Sequence, residues 1–440
     1  MTAILRLLWS KISASYWFYP ALFSIVALLL ALGLVNLDRS GATAWLSEAK
    51  VIVPARPQGA SNMLTVIAGS MIGVASTVFS ITIAAVAYAS GTYGPRLLTN
   101  FMQDKGNQLS LATFIATFVY ALTVLRTIRG SDEGPVIALQ GDPSVPSGFV
   151  PQLSLLVAYA LMAISIGVLV YFLNHIPSSI RINHVLEGIG RRLLRDIERT
   201  FPEETARQPI SKEVDGNPIF VDGTGYVQMI DFSGLSEIAR KADATIALAV
   251  RTGDFVHRHT PIANACMEDG SEDFPAQIAE CFTLGATRTP DQDIQFLIDE
   301  LVEIALRALS PGINDPFTAI TAVHWLGAAT SELGRRDLRM RLADESPSDC
   351  PVIPVPSDFP HFLARGFGAA RSAIASSPIA SLVTLDSLRD AARAVTDGNR
   401  RSLLRAEGDL LMAQAELALG GPDLEKVRQR HAEFHAALLG

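Results

Sequence analysis

The chain has 440 residues, of which 49% are hydrophobic and 18% charged, with a mean hydropathy of +0.29 and a formal net charge of −8. Soluble domains usually carry about 25% charged residues, so this composition argues against a wholly soluble protein. A net negative charge also excludes nucleic acid as an expected partner. The three cysteines, Cys266, Cys281 and Cys350, are too widely spaced for a disulfide framework or a zinc motif.

Four uncharged runs account for the shortage of charge, and all of them lie before Arg181. The runs are Tyr16–Val35, Ser61–Pro95, Asn107–Leu125 and Pro143–Ile180. Each supplies roughly the 20 apolar residues that a helix needs to cross a bilayer. Backbone amides inside a membrane must also bond within their own segment. We therefore predict four transmembrane helices at about 16–36, 62–90, 109–128 and 150–173.

The first run could also be a secretory signal, because Ala42–Ala44 resembles a cleavage site. Its apolar stretch is longer than that of a typical signal sequence and three more runs follow, which favours a retained anchor. Lysine and arginine are enriched before the first helix, between the second and third, and after the fourth. Because such a bias marks the cytoplasmic side, we predict that both termini face the cytoplasm.

Residues 181–440 form the predicted cytoplasmic domain. Apolar residues from Ile182 to Ile197 recur every three or four positions, which indicates an amphipathic helix that docks on this domain rather than on lipid headgroups. Short strands follow at about 219–265, and Asp222-Gly223 between two of them predicts a β-hairpin. Ser233 is the expected N-cap of a short helix that continues to about Lys241.

Two helical regions complete the predicted domain, at about 289–334 and 358–439. Thr289-Pro290-Asp291-Gln292 has the pattern of a capping box and predicts the start of the first region. Asp315-Pro316 predicts a second helix start, with aspartate at the N-cap and proline at the first helical position. The polar, proline-rich stretch from Arg335 to Pro356 is predicted to be a surface excursion.

The stretch "SPGINDP" between those two helix starts is the strongest candidate site in this domain. Ser310, Asn314 and Asp315 could bind a ligand, because the free amides of a helix N-terminus attract anions. The same residues also suit a structural corner, in which glycine and proline end one helix and Asp315 caps the next. We favour the corner, because the Asp315 carboxylate would repel an anion.

Catalytic motifs are missing from the sequence, which contains no phosphate-binding loop, dinucleotide fingerprint, zinc-protease motif or serine-hydrolase elbow. His257 and His259 could bind a metal from one face of a strand, but no third ligand is near in sequence and a solvated face is favoured. We therefore predict no enzymatic activity, no cofactor and no metal ligand. One helix side is acidic and is predicted to be exposed, with Asp291, Asp293, Asp299, Glu300 and Glu303.

The second and third membrane helices carry the candidate functional residues of the membrane domain. Small side chains form one face of the second helix, and hydroxyl groups mark one face of the third. The candidates are Gly73, Ser76, Thr77 and Ser80 on the second helix, and Thr113, Thr117 and Tyr120 on the third. Small residues let helices approach closely, so the two faces could pack against each other. In an oligomer they could instead line a path for ions.

Four stretches together resemble those of a known family. They are "FSITIAAVAYASGTYGPRLL" (Phe79–Leu98), "FIATFVYALTVLRTI" (Phe114–Ile128), "GYVQMID" (Gly225–Asp231) and "LVEIALRALSPGINDPFTA" (Leu301–Ala319). With them the chain resembles a bacterial family of predicted membrane proteins, domain of unknown function 2254. The resemblance covers most of the chain and is weakest after Arg335. It implies a four-helix membrane head and a cytoplasmic tail, and it implies no activity and no catalytic or binding residue.

The predicted fold is an integral membrane α-helical protein with four transmembrane helices in residues 1–180 and a cytoplasmic α/β, mostly helical, domain in residues 181–440. The predicted function is a homo-oligomeric, channel-like or transport protein of the bacterial inner membrane, regulated by its cytoplasmic domain. The alternative is a non-transporting scaffold or sensor that docks partners through that domain. The expected partners are the lipid bilayer and copies of the same chain, and the sequence names no ion or small-molecule ligand.

Overall fold

A computed structural model describes residues 15–40, 56–94, 104–129, 149–179, 181–203, 216–266, 273–338, 351–355 and 358–439. The chain divides into two compact units, Met1–Arg181 and Ile182–Gly440, which we call the N-terminal unit and the C-terminal unit. Ala42–Ala44 and Cys350, which the sequence analysis considers, lie outside the described residues.

The N-terminal unit contains four long helices among its described residues. They are α1 (Phe18–Arg39), α2 (Pro57–Tyr93), α3 (Lys105–Leu125) and α4 (Gln152–Ser179). Each contains a stretch that is long and apolar enough to cross a membrane. The prediction of a helical protein with four candidate membrane spans is therefore confirmed.

The ends of these helices differ from the predicted ones. Helix α2 begins at Pro57 rather than near residue 62, and α4 continues to Ser179 rather than ending near residue 173. Hydropathy marks only the part of a helix that suits the hydrocarbon core. Helical hydrogen bonding continues into the polar interface until a cap or a break ends it. In α2 that break is Gly94, whose φ of 128° is open to glycine.

Helix α3 is the centre of the N-terminal unit, because it packs against α1, α2 and α4. Of its most apolar stretch 56% is buried, compared with 17%, 33% and 22% in α1, α2 and α4. The other helices expose large apolar side chains such as Leu29, Val66 and Val170. Many exposed large apolar side chains suit lipid contact rather than water.

The C-terminal unit combines helices and short strands. Its helices are α5 (Ile182–Thr200), α6 (Phe232–Lys241), α7 (Phe274–Glu280), α8 (Ile294–Ala308), α9 (Pro316–Arg335), α10 (Phe359–Leu363), α11 (Ala369–Ala375), α12 (Pro378–Ala394), α13 (Gly398–Ala418) and α14 (Gly421–Leu439). A π-helical turn, Ala364–Gly368, joins α10 to α11. Its strands are β1 (Asn217–Phe220), β2 (Gly225–Ile230), β3 (Thr245–Leu248), β4 (Phe255–Val256), β5 (Pro261–Cys266), β6 (Phe282–Gly285) and β7 (Val352–Ile353).

The strands form two small sheets, with the orders β1-β5-β3-β7 and β4-β2-β6. All pairs are antiparallel except β3 with β7, in which Ile246 lies opposite Val352. Strand β7 lies within the stretch that was predicted to be a surface excursion, so that prediction is wrong for Val352 and Ile353. Val352 is buried in the sheet core, which explains how a short proline-flanked segment gains a partner.

The predicted hairpin at Asp222-Gly223 does not form, because β1 pairs with β5 whereas β2 pairs with β4 and β6. The tightest hairpin turn needs positive φ at both central residues, and neither residue has it here. The dipeptide therefore indicated a bend but not which strands pair. Strand partners are decided by burial, and β2 is the central strand of its own sheet.

Two helix starts differ from the predicted ones because a neighbouring aspartate supplies the cap. Asp231, not Ser233, caps α6 by accepting a hydrogen bond from the Gly234 amide. Asp293, not Thr289, caps α8 by accepting from the Phe296 amide. Gln292 has a positive φ of 59°, which is incompatible with the predicted helical turn.

The helical layer of the C-terminal unit is built around α9, which packs against α5, α8 and α12. The apolar face of α5 is buried within this unit at Leu186, Ile189, Leu193 and Ile197, as the amphipathic pattern predicts. A Cβ atom built on Gly190 of α5 would lie 2.1 Å from Cδ2 of Trp325 in α9. Glycine is therefore required where these two helices cross.

Candidate functional site

The small-residue face of α2 is exposed in the N-terminal unit, including Gly73, Ser76, Thr77 and Ser80. No atom lies within 4 Å of a Cβ built on Gly69 or Gly73, which are four residues apart on one helix face. The Thr77 hydroxyl donates to the Gly73 carbonyl at 3.0 Å, and the Ser80 hydroxyl to the Ser76 carbonyl at 2.9 Å. The hydroxyls are thus satisfied within the helix, and this face can lie against lipid or another helix.

The hydroxyl face of α3 has the opposite environment. Thr117 and Tyr120 are buried, whereas Thr113 is half-buried and donates to the Leu109 carbonyl at 2.8 Å. The Thr117 and Ser165 hydroxyl oxygens are 2.9 Å apart, and the Tyr120 hydroxyl donates to the Ser154 carbonyl at 3.0 Å. Both bonds join α3 to α4, so these side chains hold two helices of one copy together.

The structure therefore does not bring the two candidate faces together. The α2 face points away from its own unit, whereas the α3 face is used for contact with α4. Thr117 and Tyr120 are placed for helix packing, Thr113 is half-buried, and the α2 candidates are exposed to another molecule. Sequence periodicity located each face but could not choose its partner, because either face can turn inward.

Acidic side chains near both ends of the membrane helices are used for capping. Asp38 accepts hydrogen bonds from the Leu153 amide, the Ser154 amide and the Ser154 hydroxyl, at 3.2, 3.0 and 2.8 Å. Asp104 caps α3 through the Gly106 amide at 2.7 Å and lies 2.9 Å from Nε2 of His175. A carboxylate at a helix N-terminus interacts favourably with the helix dipole. These two acids therefore link α1 and α3 to the two ends of α4.

Ser310, Asn314 and Asp315 lie at the corner between α8 and α9. The Ser310 hydroxyl donates to the Arg307 carbonyl at 2.6 Å, and Asn314 has a positive φ of 50°. The Asp315 carboxylate caps α9 by accepting from the Thr318 amide at 3.2 Å and the Thr318 hydroxyl at 2.6 Å. Ser310 and Asp315 therefore have structural partners, and Asn314 provides the left-handed turn between them.

A partly open cavity of about 60 Å³ lies in the C-terminal unit, between the end of α5, the sheets and the start of α8. It has room for a few water molecules or a small polar group. Phe201, Phe232 and Phe362 contribute to its apolar wall. Its polar lining consists of Thr200, Arg251, Thr252, Gln292, Asp293 and Gln295. Mixed apolar and polar walls are typical of small-molecule sites.

Arg288 joins Asp293, a buried residue of the cavity wall, to the partly buried Asp299. Its Nη2 donates to Asp293 Oδ2 at 2.6 Å, and its Nη1 donates to Asp299. Nε and Nη2 of Arg365 donate to the two oxygens of Asp299 at 2.6 and 2.7 Å. Burial alone would raise the pKa of Asp299, but Arg365 and Arg288 hold the pKa below its ordinary value of 3.8. Asp299 is therefore the ionised centre of a partly buried charge network.

This network corrects the prediction of an exposed acidic helix side. Asp293 and Glu300 are buried, and the side chain of Asp299 is 14% exposed. The arrangement could not be predicted from the sequence, because Arg288 and Arg365 are far apart in the chain. Only Asp291 of these acids has a largely exposed side chain, while Glu303 is half-buried beside Arg307.

His361 immediately precedes Phe362, which lines the cavity. Burial, together with the positive charges of Arg251 and Arg365, lowers the pKa of His361 below 6.5. Its Nε2 atom is buried and has no hydrogen-bond partner among the described residues. The neutral imidazole is therefore favoured in the folded chain.

His257 and His259 do not share a strand face, because β4 ends at Val256 and both residues lie in the turn that follows. Nδ1 of His257 accepts a hydrogen bond from the His259 amide at 3.1 Å, so one ring nitrogen is already used. The exposure expected of them is observed, whereas the strand assignment is wrong.

A different histidine pair lies beside a carboxylate in the last two helices. Nε2 of His431 is 2.9 Å, and Nε2 of His435 is 2.5 Å, from Oδ1 of Asp409. None of these three residues was predicted to belong to a site. The spacing "HAEFH" on a predicted helix was the signal that could have located the histidines, because residues four apart share one face.

Four apolar helices and a separate α/β unit define the chain as a membrane protein with a large extension outside its candidate spans. The chain belongs to a family of predicted membrane proteins, domain of unknown function 2254, whose model matches residues 13–390. This confirms the resemblance found in the sequence. The chain is 31% identical over 379 residues to an uncharacterised protein of Mycobacterium tuberculosis and to one of Mycobacterium bovis. Each match covers 83% of this chain and 70% of the relative, and no solved structure matches the chain.

Proposed function

We propose that the chain forms a homo-oligomer in the bacterial inner membrane, with both termini in the cytoplasm. We further propose that this oligomer has a channel-like or transport role, which the C-terminal unit regulates. The observation that carries the proposal is the uncovered face of α2, where Gly69, Gly73, Ser76 and Ser80 are exposed.

Lipid tails are as apolar as leucine, so the hydrophobic effect does not drive helices together inside a membrane. Close packing of the helices is therefore the main reason for their association. Two glycines four residues apart allow a second helix to approach the backbone, and Gly69 and Gly73 have this spacing in α2. Gly106, at the start of α3, is by contrast already covered by His175. Helix α2 is therefore the element best suited to contact another copy.

The transport part of the proposal rests on the side chains that follow the glycines. Ser76 and Ser80 continue the same face, so copies of α2 around a common axis would place rings of hydroxyls along it. The hydrogen bond from the Ser80 hydroxyl to the Ser76 carbonyl can be exchanged for a bond to water when the face is wet. Uncharged rings of this kind would favour small ions or small polar solutes without strong charge selection.

Regulation by the C-terminal unit is supported by its cavity. Arg251 and Gln292 provide polar groups at the wall, and the apolar remainder can exclude water from a bound group. A small ligand there would contact the end of α5 at Thr200 and the start of α8 at Ile294. Ligand binding could thus change the arrangement of two helices in this unit.

The proposal is tested with Ser80→Leu, Ser80→Ala and Ser80→Asp in the full chain, by flux in proteoliposomes and native mass in detergent. If the face lines a pore, Ser80→Leu blocks flux while the oligomer keeps its mass, and Ser80→Asp changes ion preference. If the face only packs, Ser80→Leu lowers the oligomer mass and Ser80→Ala changes little. Ala163→Leu adds the same bulk to an exposed position of α4 and serves as the control.

A second candidate function is a sensor or scaffold that transports nothing. The cavity favours it, because a ligand site in the C-terminal unit is useful without a pore. The same experiment distinguishes the two candidate functions. Absence of flux from the unmodified protein, under every ion gradient and voltage applied, rejects the transport role. Oligomer formation through α2 is compatible with both functions.

A further inference from the structure

We propose that Asp409, His431 and His435 form a binding site for one divalent transition-metal ion, with Zn²⁺ as the representative ion. The site lies between α13 and α14, and it is independent of the α2 face and of the cavity. Its three residues follow residue 390, where the match to the family model ends, so the family membership does not imply it.

The ligand atoms of the three side chains converge on one point. Nε2 of both histidines lies within 2.9 Å of Oδ1 of Asp409, and one ligand atom from each residue lies within 4.8 Å of the others. Metal–nitrogen and metal–oxygen distances in zinc sites are about 2.0–2.2 Å. A small outward movement of the side chains would thus admit an ion in place of the two hydrogen bonds.

The two histidines share a helix face because they are four residues apart in α14. Their ring centroids are 4.6 Å apart. Asp409 reaches them from α13, so the ligands come from two neighbouring helices rather than from one flexible segment. Both histidine side chains are about one-fifth exposed, at 21% and 22%, which leaves a path from solvent.

The surrounding packing fixes the distance between the two helices at this level. A Cβ built on Gly408, next to Asp409, would lie 2.4 Å from Cε1 of Phe434, next to His435. Phe434 is fully buried, so the neighbours of two ligands are in tight contact. Arg428 of α14 also pairs with Glu416 of α13 at 3.1 Å. The ligands are therefore held together before any metal arrives.

The donor set indicates the class of ion. Imidazole nitrogens with a carboxylate suit Zn²⁺, Fe²⁺, Ni²⁺, Co²⁺ and Cu²⁺, whereas Mg²⁺ and Ca²⁺ prefer oxygen ligands alone. Three protein ligands leave at least one position for water, because Zn²⁺ is usually four-coordinate. The Asp409 side chain is 49% exposed, so that position would face solvent. Such a site can exchange its metal.

The test uses the full chain without a polyhistidine tag, purified in detergent and freed of metal by a chelator. Calorimetric titration with ZnCl₂ is expected to show one equivalent per chain. His431→Gln, His435→Gln and Asp409→Asn are each expected to weaken binding at least tenfold, and the double histidine variant more. The control His257→Gln/His259→Gln removes two other neighbouring histidines and should leave the affinity within about twofold. Absence of binding, or equal binding by the double histidine variant, overturns the proposal.

A second measurement uses the unmodified chain and therefore does not depend on the folding of any variant. Diethylpyrocarbonate modifies accessible imidazoles, and peptide mass spectrometry reports the extent at each histidine. Zn²⁺ is expected to protect His431 and His435 at least fivefold in the unmodified chain and to leave His257 unchanged. Equal modification of His431 and His435 with and without Zn²⁺ overturns the proposal. Circular dichroism of each variant checks that its helices remain folded.

Discussion

The carboxylate of Asp299 in α8 is held by the guanidinium of Arg365, whose Nε and Nη2 donate to its two oxygens at 2.6 and 2.7 Å. A paired, parallel arrangement of this kind is the strongest geometry for such an ion pair. Because Arg288 donates to the same carboxylate, one acid joins two cations that are far apart in the chain.

Asp299→Asn is predicted to lower the free energy of unfolding of the C-terminal unit by roughly 3 kcal/mol, because it leaves two arginines without their shared charge. Thermal or denaturant unfolding of the full chain in detergent measures this. The control is Asp291→Asn, which removes an acid whose side chain is 68% exposed and should cost under about 1 kcal/mol. Equal effects of the two variants would show that the ion pairs of Asp299 contribute no more to stability than an exposed acid does.

Acid is predicted to destabilise the C-terminal unit, beginning below the ordinary histidine pKa of 6.5. The pKa of His361 is lowered by burial and by nearby arginines, so the unfolded chain binds a proton before the folded chain does. The contribution of the neutral His361 to stability is therefore complete above pH 6.5. It is lost as the pH falls through the pKa that His361 has in the folded chain. The pKa of Asp299 is also lower in the folded chain, so its contribution to stability is likewise lost on acidification, at pH values below 3.8.

The measurement is the unfolding midpoint at several pH values between 7 and 5, compared for the unmodified chain and His361→Asn. The variant should show a shallower decline in this range. His184→Asn, at a side chain that is 57% exposed, should leave the decline unchanged. A decline of the same steepness in His361→Asn would assign the acid sensitivity to other groups.

Asp315→Ala is predicted to lower stability by about 0.5–2 kcal/mol, the usual loss when an N-cap is removed. Asp315→Asn keeps an acceptor for the Thr318 amide and should restore most of the loss. Membrane insertion should survive both changes, and thermal unfolding measures the difference. Unchanged stability together with loss of a measured activity would instead identify "SPGINDP" as a ligand site.

Two glycines of α5 are predicted to respond in opposite directions to alanine. Gly190→Ala places a methyl group against Trp325 and should destabilise by about 1–3 kcal/mol, because an overpacked contact must move. Gly188→Ala meets no atom within 4 Å and should stabilise by up to about 1 kcal/mol through helix propensity. Unfolding of the two variants measures the difference, and stabilisation by both would show that α5 and α9 are not closely packed.

The orientation of the membrane helices is predicted from the lysine and arginine bias. Alkaline phosphatase fused after Asp132 should be active, because this enzyme needs the oxidising side of the membrane. The same fusion after Lys105 or at the C-terminus should be inactive. Enzyme activity in cells checks each fusion, and an active C-terminal fusion would reverse the orientation.

The sequence alone determined the features that depend on local chemistry. Four candidate spans could be predicted because each needs only a long uncharged run, whatever its neighbours are. The Asp315 cap of α9 could be predicted because an aspartate followed by proline specifies a helix start within one turn.

Tertiary structure alone decided which surfaces meet. Periodicity placed Thr117 on one face of α3, but only packing showed that its partner is Ser165 of α4 and that the α2 face stays uncovered. Burial of Asp299 required Arg288 and Arg365 from distant parts of the chain. Asp409 meets His431 for the same reason, since α13 and α14 bring them together. Contacts between residues far apart depend on how whole elements fill a common core, and no short segment carries that information.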